Sequence, residues 1–163
     1  MEREKLFLVT HAACHDRVYR YFRRRTDSAA TAEDLCAEVF MIAWEKTGQE
    51  ESPSVMVLFG IAKNVLRNHA RSDLRTTSLF GALQLERDHV GHDNESPIYE
   101  ALSLLGPDDR EVLLLTYWDG FSSTEVSDLL NTSATAVRMR LHRARRALGR
   151  LLKTETQPEG AKR

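Results

Sequence analysis

The sequence predicts an all-α protein built as two small helical domains joined by a flexible linker, the second containing a helix-turn-helix. Three observations carry that expectation. Apolar residues recur at helical spacing through most of the chain, and no segment alternates as a strand would. The periodicity lapses once, over residues 76–96, where Gly81, His89, Gly91, His92, Asp93 and Asn94 accumulate. After it, two short helical patterns meet at Asn131-Thr132-Ser133, and the later one is studded with arginine. The domains expected are 1–75 and 97–153, with a linker at 76–96 and a polar tail at 154–163.

The first helix is expected over residues 6–25, with Val9, Ala13, Val18, Tyr21 and Phe22 inward. Thr31, with Asp34 three residues on, predicts the start of a second helix running through Leu35, Val39, Phe40 and Ala43 to Trp44. Gly48 helps to end it, and a polar loop follows at 47–53. A third helix is expected over 54–74, burying Leu58, Ile61, Ala62 and Val65 and turning Lys63, Asn64, Arg67 and Arg71 the other way.

In the second half, Ser96-Pro97 predicts a helix start with proline at its first position. Ile98, Leu102 and Leu105 face inward, Gly106-Pro107 breaks the helix, and the next is expected over 108–118, stopped by Asp119-Gly120. Ser122 and Glu125 fit a capping box, in which hydroxyl and carboxylate satisfy amide donors at a helix start. Ser133 can cap the last helix, where Val137, Leu141, Ala144 and Leu148 line one face. Arg138, Arg140, Arg143, Arg145, Arg146, Arg150 and Lys153 occupy most of the rest. A basic second helix after a tight turn is suited to a DNA major groove.

Charge and composition bound the function classes. The net charge of the 163 residues is -1, so the cationic helix reflects distribution rather than total. Glu33, Asp34, Glu38, Glu45, Glu50 and Glu51 form an acidic zone upstream. That asymmetry suggests two partners of different charge, DNA at one surface and a basic protein at another, although each zone could be a solvated helix face. No apolar run approaches the roughly 18 residues of a membrane span, and the charged N-terminus is not a signal peptide, so a cytoplasmic protein without membrane contact is expected. No nucleophile elbow or phosphate-cradling glycine loop is present, and no enzyme activity is expected. His11, Cys14, His15 and Cys36 have the chemistry of a zinc or thiol sensor, but their spacing fits no standard zinc signature. No metal or other cofactor is expected; a redox role for Cys14 and Cys36 stays open.

Three motifs, in order, resemble a bacterial RNA polymerase sigma factor of the extracytoplasmic-function (ECF) group. Asp34-Leu35-Cys36-Ala37-Glu38 onward to Trp44 is similar to that family's second conserved helix. Leu58-Phe59-Gly60-Ile61-Ala62-Lys63-Asn64-Val65-Leu66 resembles its promoter-melting helix. Leu104-Leu105-Gly106-Pro107-Asp108-Asp109-Arg110, with residues 137–145, resembles its C-terminal domain. The resemblance implies that Asp34, Leu35, Glu38 and Val39 dock the clamp helices of the polymerase largest subunit. It implies that Lys63, Asn64, Arg67, Asn68 and Arg71 engage the minus-ten element, Asn64 reading an unstacked base with help from a pocket in the 47–53 loop. Arg138, Met139, Arg140, His142 and Arg143 would meet the minus-thirty-five element. Core RNA polymerase, including its flap region, and promoter DNA are the implied partners, and an anti-sigma factor is left open.

The chain departs from the family pattern at several positions. Val57 stands where a tryptophan is usual, Asn68 where an aspartate is, and Ala37 where a glutamine is. Thr135-Ala136 replaces Gly-Thr, and Met139 replaces a small polar residue. The competing expectation is a stand-alone helix-turn-helix regulator that binds duplex without polymerase docking.

Overall fold

The computed structural model describes residues 2–48, 51–80 and 96–156. Every regular element among the described residues is helical. The chain divides into two compact units, Met1–Val90 and Gly91–Arg163.

The first unit packs α1 (Glu2–Arg23), α2 (Ala29–Lys46) and α3 (Val55–Phe80). Val18, Tyr21 and Phe22 of α1 meet Leu35, Val39 and Ala43 of α2 and Leu58, Phe59, Ala62 and Val65 of α3 in the core. Tyr21 stands edge-on to Phe59 with ring centroids 5.5 Å apart, a favourable aromatic geometry. The stripe on α1 begins at Cys14 rather than Val9; Val9 and Ala13 are exposed. The 14, 18, 21, 22 spacing leaves them on the outer side of the helix. Trp44, at the end of the apolar run on α2, is exposed. It lies at the rim, its ring edge-on to Phe7 and covered by the Arg3 guanidinium 3.9 Å from its centroid.

Helix α2 starts earlier than the Thr31 signal predicts. Ser28 is its N-cap and accepts from the Thr31 amide at 3.1 Å, while the two hydroxyls bond each other at 2.8 Å. Two cap-competent residues three apart compete, and the upstream one yields the longer helix. Helix α3 is capped by Ser54, which accepts from the Val57 amide at 3.1 Å, and continues to Phe80, beyond the expected end at 74. Of the expected linker, residues 81–95 lie outside the described residues.

The second unit comprises α4 (Pro97–Leu104), α5 (Pro107–Leu113), α6 (Ser123–Leu130) and α7 (Ala134–Thr156), with α4, α5 and α6 all packed on α7. Proline opens both α4 and α5, where its missing N–H costs nothing. Ser96 occupies the N-cap of α4 but its side chain makes no capping bond. Instead of one helix over 108–118, α5 widens into a π-turn at Leu114–Trp118, where the Asp119 amide reaches back five residues to the Leu114 carbonyl at 2.9 Å. Gly120, at φ +81°, then reverses the chain, and the Phe121 amide closes onto the Leu115 carbonyl at 2.9 Å. Val112, Leu113, Phe121, Val126, Val137 and Ala144 form the interior.

Candidate nucleic-acid interface

The helix-turn-helix is held by local bonds that follow from the residues at its corners. Ser122 Oγ accepts from the Glu125 amide at 3.2 Å, and Glu125 Oε1 accepts from the Ser122 amide at 3.0 Å, completing the capping box. Asn131 ends α6 in the left-handed region (φ 54°, ψ 51°). The Thr132 amide donates to the Ser127 carbonyl at 3.0 Å and the Asn131 amide to the Asp128 carbonyl at 3.4 Å, so two carbonyls left over at the helix end are satisfied. Ser133 then caps α7 by accepting from the Ala136 amide at 3.1 Å.

These corners fix which side of α7 faces out. Val137, Leu141 and Ala144 are buried, whereas Arg138, Met139, His142, Arg143 and Arg146 are exposed. At about 100° per residue, Met139, His142, Arg143 and Arg146 share one outward arc, with Arg138 on its flank. Arg140 is half-buried and lies toward the opposite flank. An apolar Met139, 62 % exposed, thus sits at the centre of a cationic face.

On α3, Asn64, Arg67, Asn68 and Arg71 are exposed on one arc opposite Leu58, Ala62 and Val65, with half-exposed Val57 at its start. Lys63 is half-buried at the edge of that arc. The amides and guanidiniums offer donors for base edges and phosphates. In the preceding loop, Ser52 Oγ and Thr10 Oγ1 bond at 2.7 Å, tying the loop to α1, and Pro53 is buried. Gln49 and Glu50, part of the loop expected to form a base pocket, lie outside the described residues.

On α2 the expected docking set divides. Asp34 and Glu38 are exposed, but Leu35 and Val39 are 6 % and 0 % exposed and belong to the core of the unit. One helix cannot turn both pairs to the same side when the second pair lies about 100° round the axis. The exposed apolar residue on the acidic side is Met41, two turns after Asp34. Its spacing from Asp34 and Glu38 was the sequence signal for it. A second arrangement absent from the sequence reading is the bond from Arg145 Nη1 to Tyr117 Oη at 2.9 Å.

Cys14 and Cys36 are free and buried, and among the described residues no cluster of three or more His, Cys, Asp or Glu could hold a metal ion. Cys36 Sγ donates to the His15 carbonyl at 3.9 Å. Burial, with the Asp16 carboxylate adding to it, pushes the Cys36 thiol up to about 11. No helix among the described residues is long and apolar enough to cross a membrane.

A helix-turn-helix with a cationic outer face in one unit, and a polar, cationic helix face in the other, define a helical nucleic-acid-binding protein with two units. Residues 11–76 match the Sigma-70 region 2 family and residues 96–148 the Sigma-70 region 4 family. The ECF RNA polymerase sigma factor SigL of Mycobacterium tuberculosis is 31% identical over 153 residues, covering 85% of this chain and 82% of SigL. BldN of Streptomyces coelicolor, also an ECF RNA polymerase sigma factor, is 29% identical over 84% of this chain. The probable sigma factor RfaY of Xanthomonas campestris is 31% identical over 82% of it. The chain spans only 56% of the length of BldN and 37% of that of RfaY.

Among solved structures, the sigma factor RpoE of Bartonella quintana, in complex with the anti-sigma factor NepR, shares the fold. Its TM-score is 0.70 at 21% identity, covering 91% of this chain and 98% of that one. CnrH, in complex with the cytosolic domain of CnrY, gives a TM-score of 0.66 at 23% identity, covering 92% and 89%. The chain belongs to the ECF RNA polymerase sigma factors, a family of polymerase-associated proteins that direct transcription initiation and are not themselves catalysts.

Proposed function

We propose that this chain is a promoter-specificity subunit: it binds core RNA polymerase, recognises promoter DNA through both units and lets the holoenzyme melt it. The observation that carries this reading is the outward face of α3, because a regulator that reads duplex through its helix-turn-helix alone has no use for Asn64, Arg67, Asn68 and Arg71 on a second unit. In this reading the first unit binds the minus-ten element. Asn64 and Asn68 pair with exposed base edges, while Lys63, Arg67 and Arg71 hold the backbone. The exposed acids Asp34 and Glu38, with Met41 between the turns, dock a basic surface on the polymerase clamp helices. Leu35 and Val39 support that face from beneath rather than touching the partner.

The second unit reads the minus-thirty-five element as duplex and rests against the flap region. Arg138, His142 and Arg143 reach base edges or neighbouring phosphates, Met139 packs on a thymine methyl, and Arg140 contributes positive charge from the flank. The chain works in the bacterial cytoplasm, needs no cofactor, and leaves all chemistry to the polymerase. The sigma factor RpoE solved with the anti-sigma factor NepR supports an anti-sigma protein as a further partner.

Co-purification with core RNA polymerase, followed by run-off transcription from genomic fragments, tests the reading. Stable association with new start sites is expected, and the double variant Asp34→Lys, Glu38→Lys should lose association while melting like the parent chain. Failure of the parent chain to associate, with tight binding of the free protein to duplex, would instead establish a stand-alone regulator.

A further inference from the structure

Arg145 lies outside the arc that faces outward from α7, on the flank it shares with Arg138. Bases are read chiefly by the first turns of a recognition helix. Arg145 comes eleven residues after Ala134, about 16 Å along the axis, which exceeds the width of a major groove, about 12 Å. A cation at that distance meets the phosphates of the groove wall, not base edges.

Its guanidinium is already held. Nη1 donates to Tyr117 Oη at 2.9 Å, and Tyr117 is 53 % exposed. Tyr117 lies in the π-turn that ends α5. There the half-buried Trp118 donates through Nε1 to Tyr99 Oη at 3.3 Å, while the preceding Tyr117 is left on the surface, bonded to Arg145 of α7. The partner's chemistry also matters. A carboxylate would neutralise Arg145, but a phenol accepts one N–H bond and leaves the full positive charge and the remaining donors free.

We infer that Tyr117 is a positioning residue for DNA binding: it holds the charged Arg145 guanidinium beside the recognition face, where it clamps a backbone phosphate of duplex DNA. This rests on the proposed function above. A held side chain loses less rotamer freedom on binding than a free one.

The test is fluorescence anisotropy of the full chain with a mixed-sequence duplex several helical turns long, titrated between about 50 and 200 mM salt. A phosphate contact acts on any sequence, so no promoter is required. Arg145→Ala should weaken binding roughly three- to tenfold and flatten the dependence of log affinity on log salt by about 0.9, one phosphate's worth. Tyr117→Phe should weaken binding roughly two- to threefold with an unchanged melting temperature, and the double variant should bind no worse than Arg145→Ala. Wild-type affinity in Tyr117→Phe, additive losses in the double variant, or a wild-type salt slope in Arg145→Ala would each overturn the inference. A lower melting temperature in Tyr117→Phe with unchanged binding would mark the bond as structural only. A parent chain without salt-dependent duplex binding would overturn this inference, while the polymerase-associated function would still stand or fall by run-off transcription.

Discussion

Arg110 reaches back across the α4–α5 corner and donates through Nη2 to the carbonyl oxygen of Leu105 at 3.0 Å. The same guanidinium donates through Nε to the Leu102 carbonyl at 3.0 Å and through Nη2 to the Ser103 carbonyl at 3.3 Å. One planar fork thus adds donors to the carbonyls at the end of α4, where the Leu102 carbonyl also accepts from the Leu105 amide at 3.2 Å, and its charge suits the negative end of the helix.

Arg110→Ala should therefore destabilise the second unit by about 1–2 kcal/mol, since hydrogen bonds to a charged group are stronger than neutral ones and this one is half-exposed. Arg110→Lys should recover little, because a point charge cannot reproduce the fork. Urea unfolding of the three proteins decides it; near-complete recovery by lysine would show that charge alone matters.

Asn131 adopts φ 54° at the turn between α6 and α7. Glycine takes that conformation without the steric cost, so Asn131→Gly should stabilise the second unit by about 0.5–1 kcal/mol. Asn131→Val should destabilise it by about 1–2 kcal/mol, as a β-branched residue is forced into the left-handed region. Thermal melting of both variants checks the order; a more stable valine variant would contradict the turn geometry.

The half-buried His11 ring stands edge-on to Phe40, with centroids 4.5 Å apart, and tilted against His15 at 5.0 Å. Burial, and then the charge on His15, hold its pKa below the usual 6.5; the Asp16 carboxylate lies 3.7 Å from His15 Nδ1. A histidine depressed in the folded state binds fewer protons there than when unfolded. Its contribution to stability is full above about pH 6.5 and is lost as the pH falls below it. The first unit should lose more stability between pH 7.5 and 5.5 than a His11→Phe variant does. Equal losses in melting temperature would remove His11 from the account.

Cys36 is 1 % exposed, and its thiol pKa stands at about 11 against an ordinary 9.0. A raised thiol pKa favours the protonated folded state, so this contribution is complete below about pH 9 and fades as the pH climbs through 11. At neutral pH the group is a protonated, inaccessible thiol. Iodoacetamide should label it slowly in the native chain and rapidly in urea. Fast native labelling at neutral pH would restore the thiol-sensor possibility.

Much of this molecule was legible in the sequence because the signals were local. Ser122 and Glu125 stand three apart, Ser133 precedes the last amphipathic run, and Val137, Leu141 and Ala144 recur at helical spacing. Each specifies a helix end or a buried stripe without reference to distant residues, so the buried and outward sides of α7 could be drawn in advance. The polar face of α3 follows from the same periodicity. Helix starts were less secure wherever two caps competed, as Ser28 and Thr31 do.

By itself, then, the sequence determined helices, corners, the cationic α7 and the family resemblance, all written in spacings of three and four. Only tertiary packing decided which residues of α2 the core would claim. It took Leu35 and Val39 inward, left Asp34, Glu38 and Met41 outside, and turned Trp44 to the rim. It also decided the π-turn and the meeting of Tyr117 with Arg145, which lie 28 residues apart. No local pattern encodes such a meeting, because it exists only once α5 and α7 pack into one unit and the turn adjusts its register to fit.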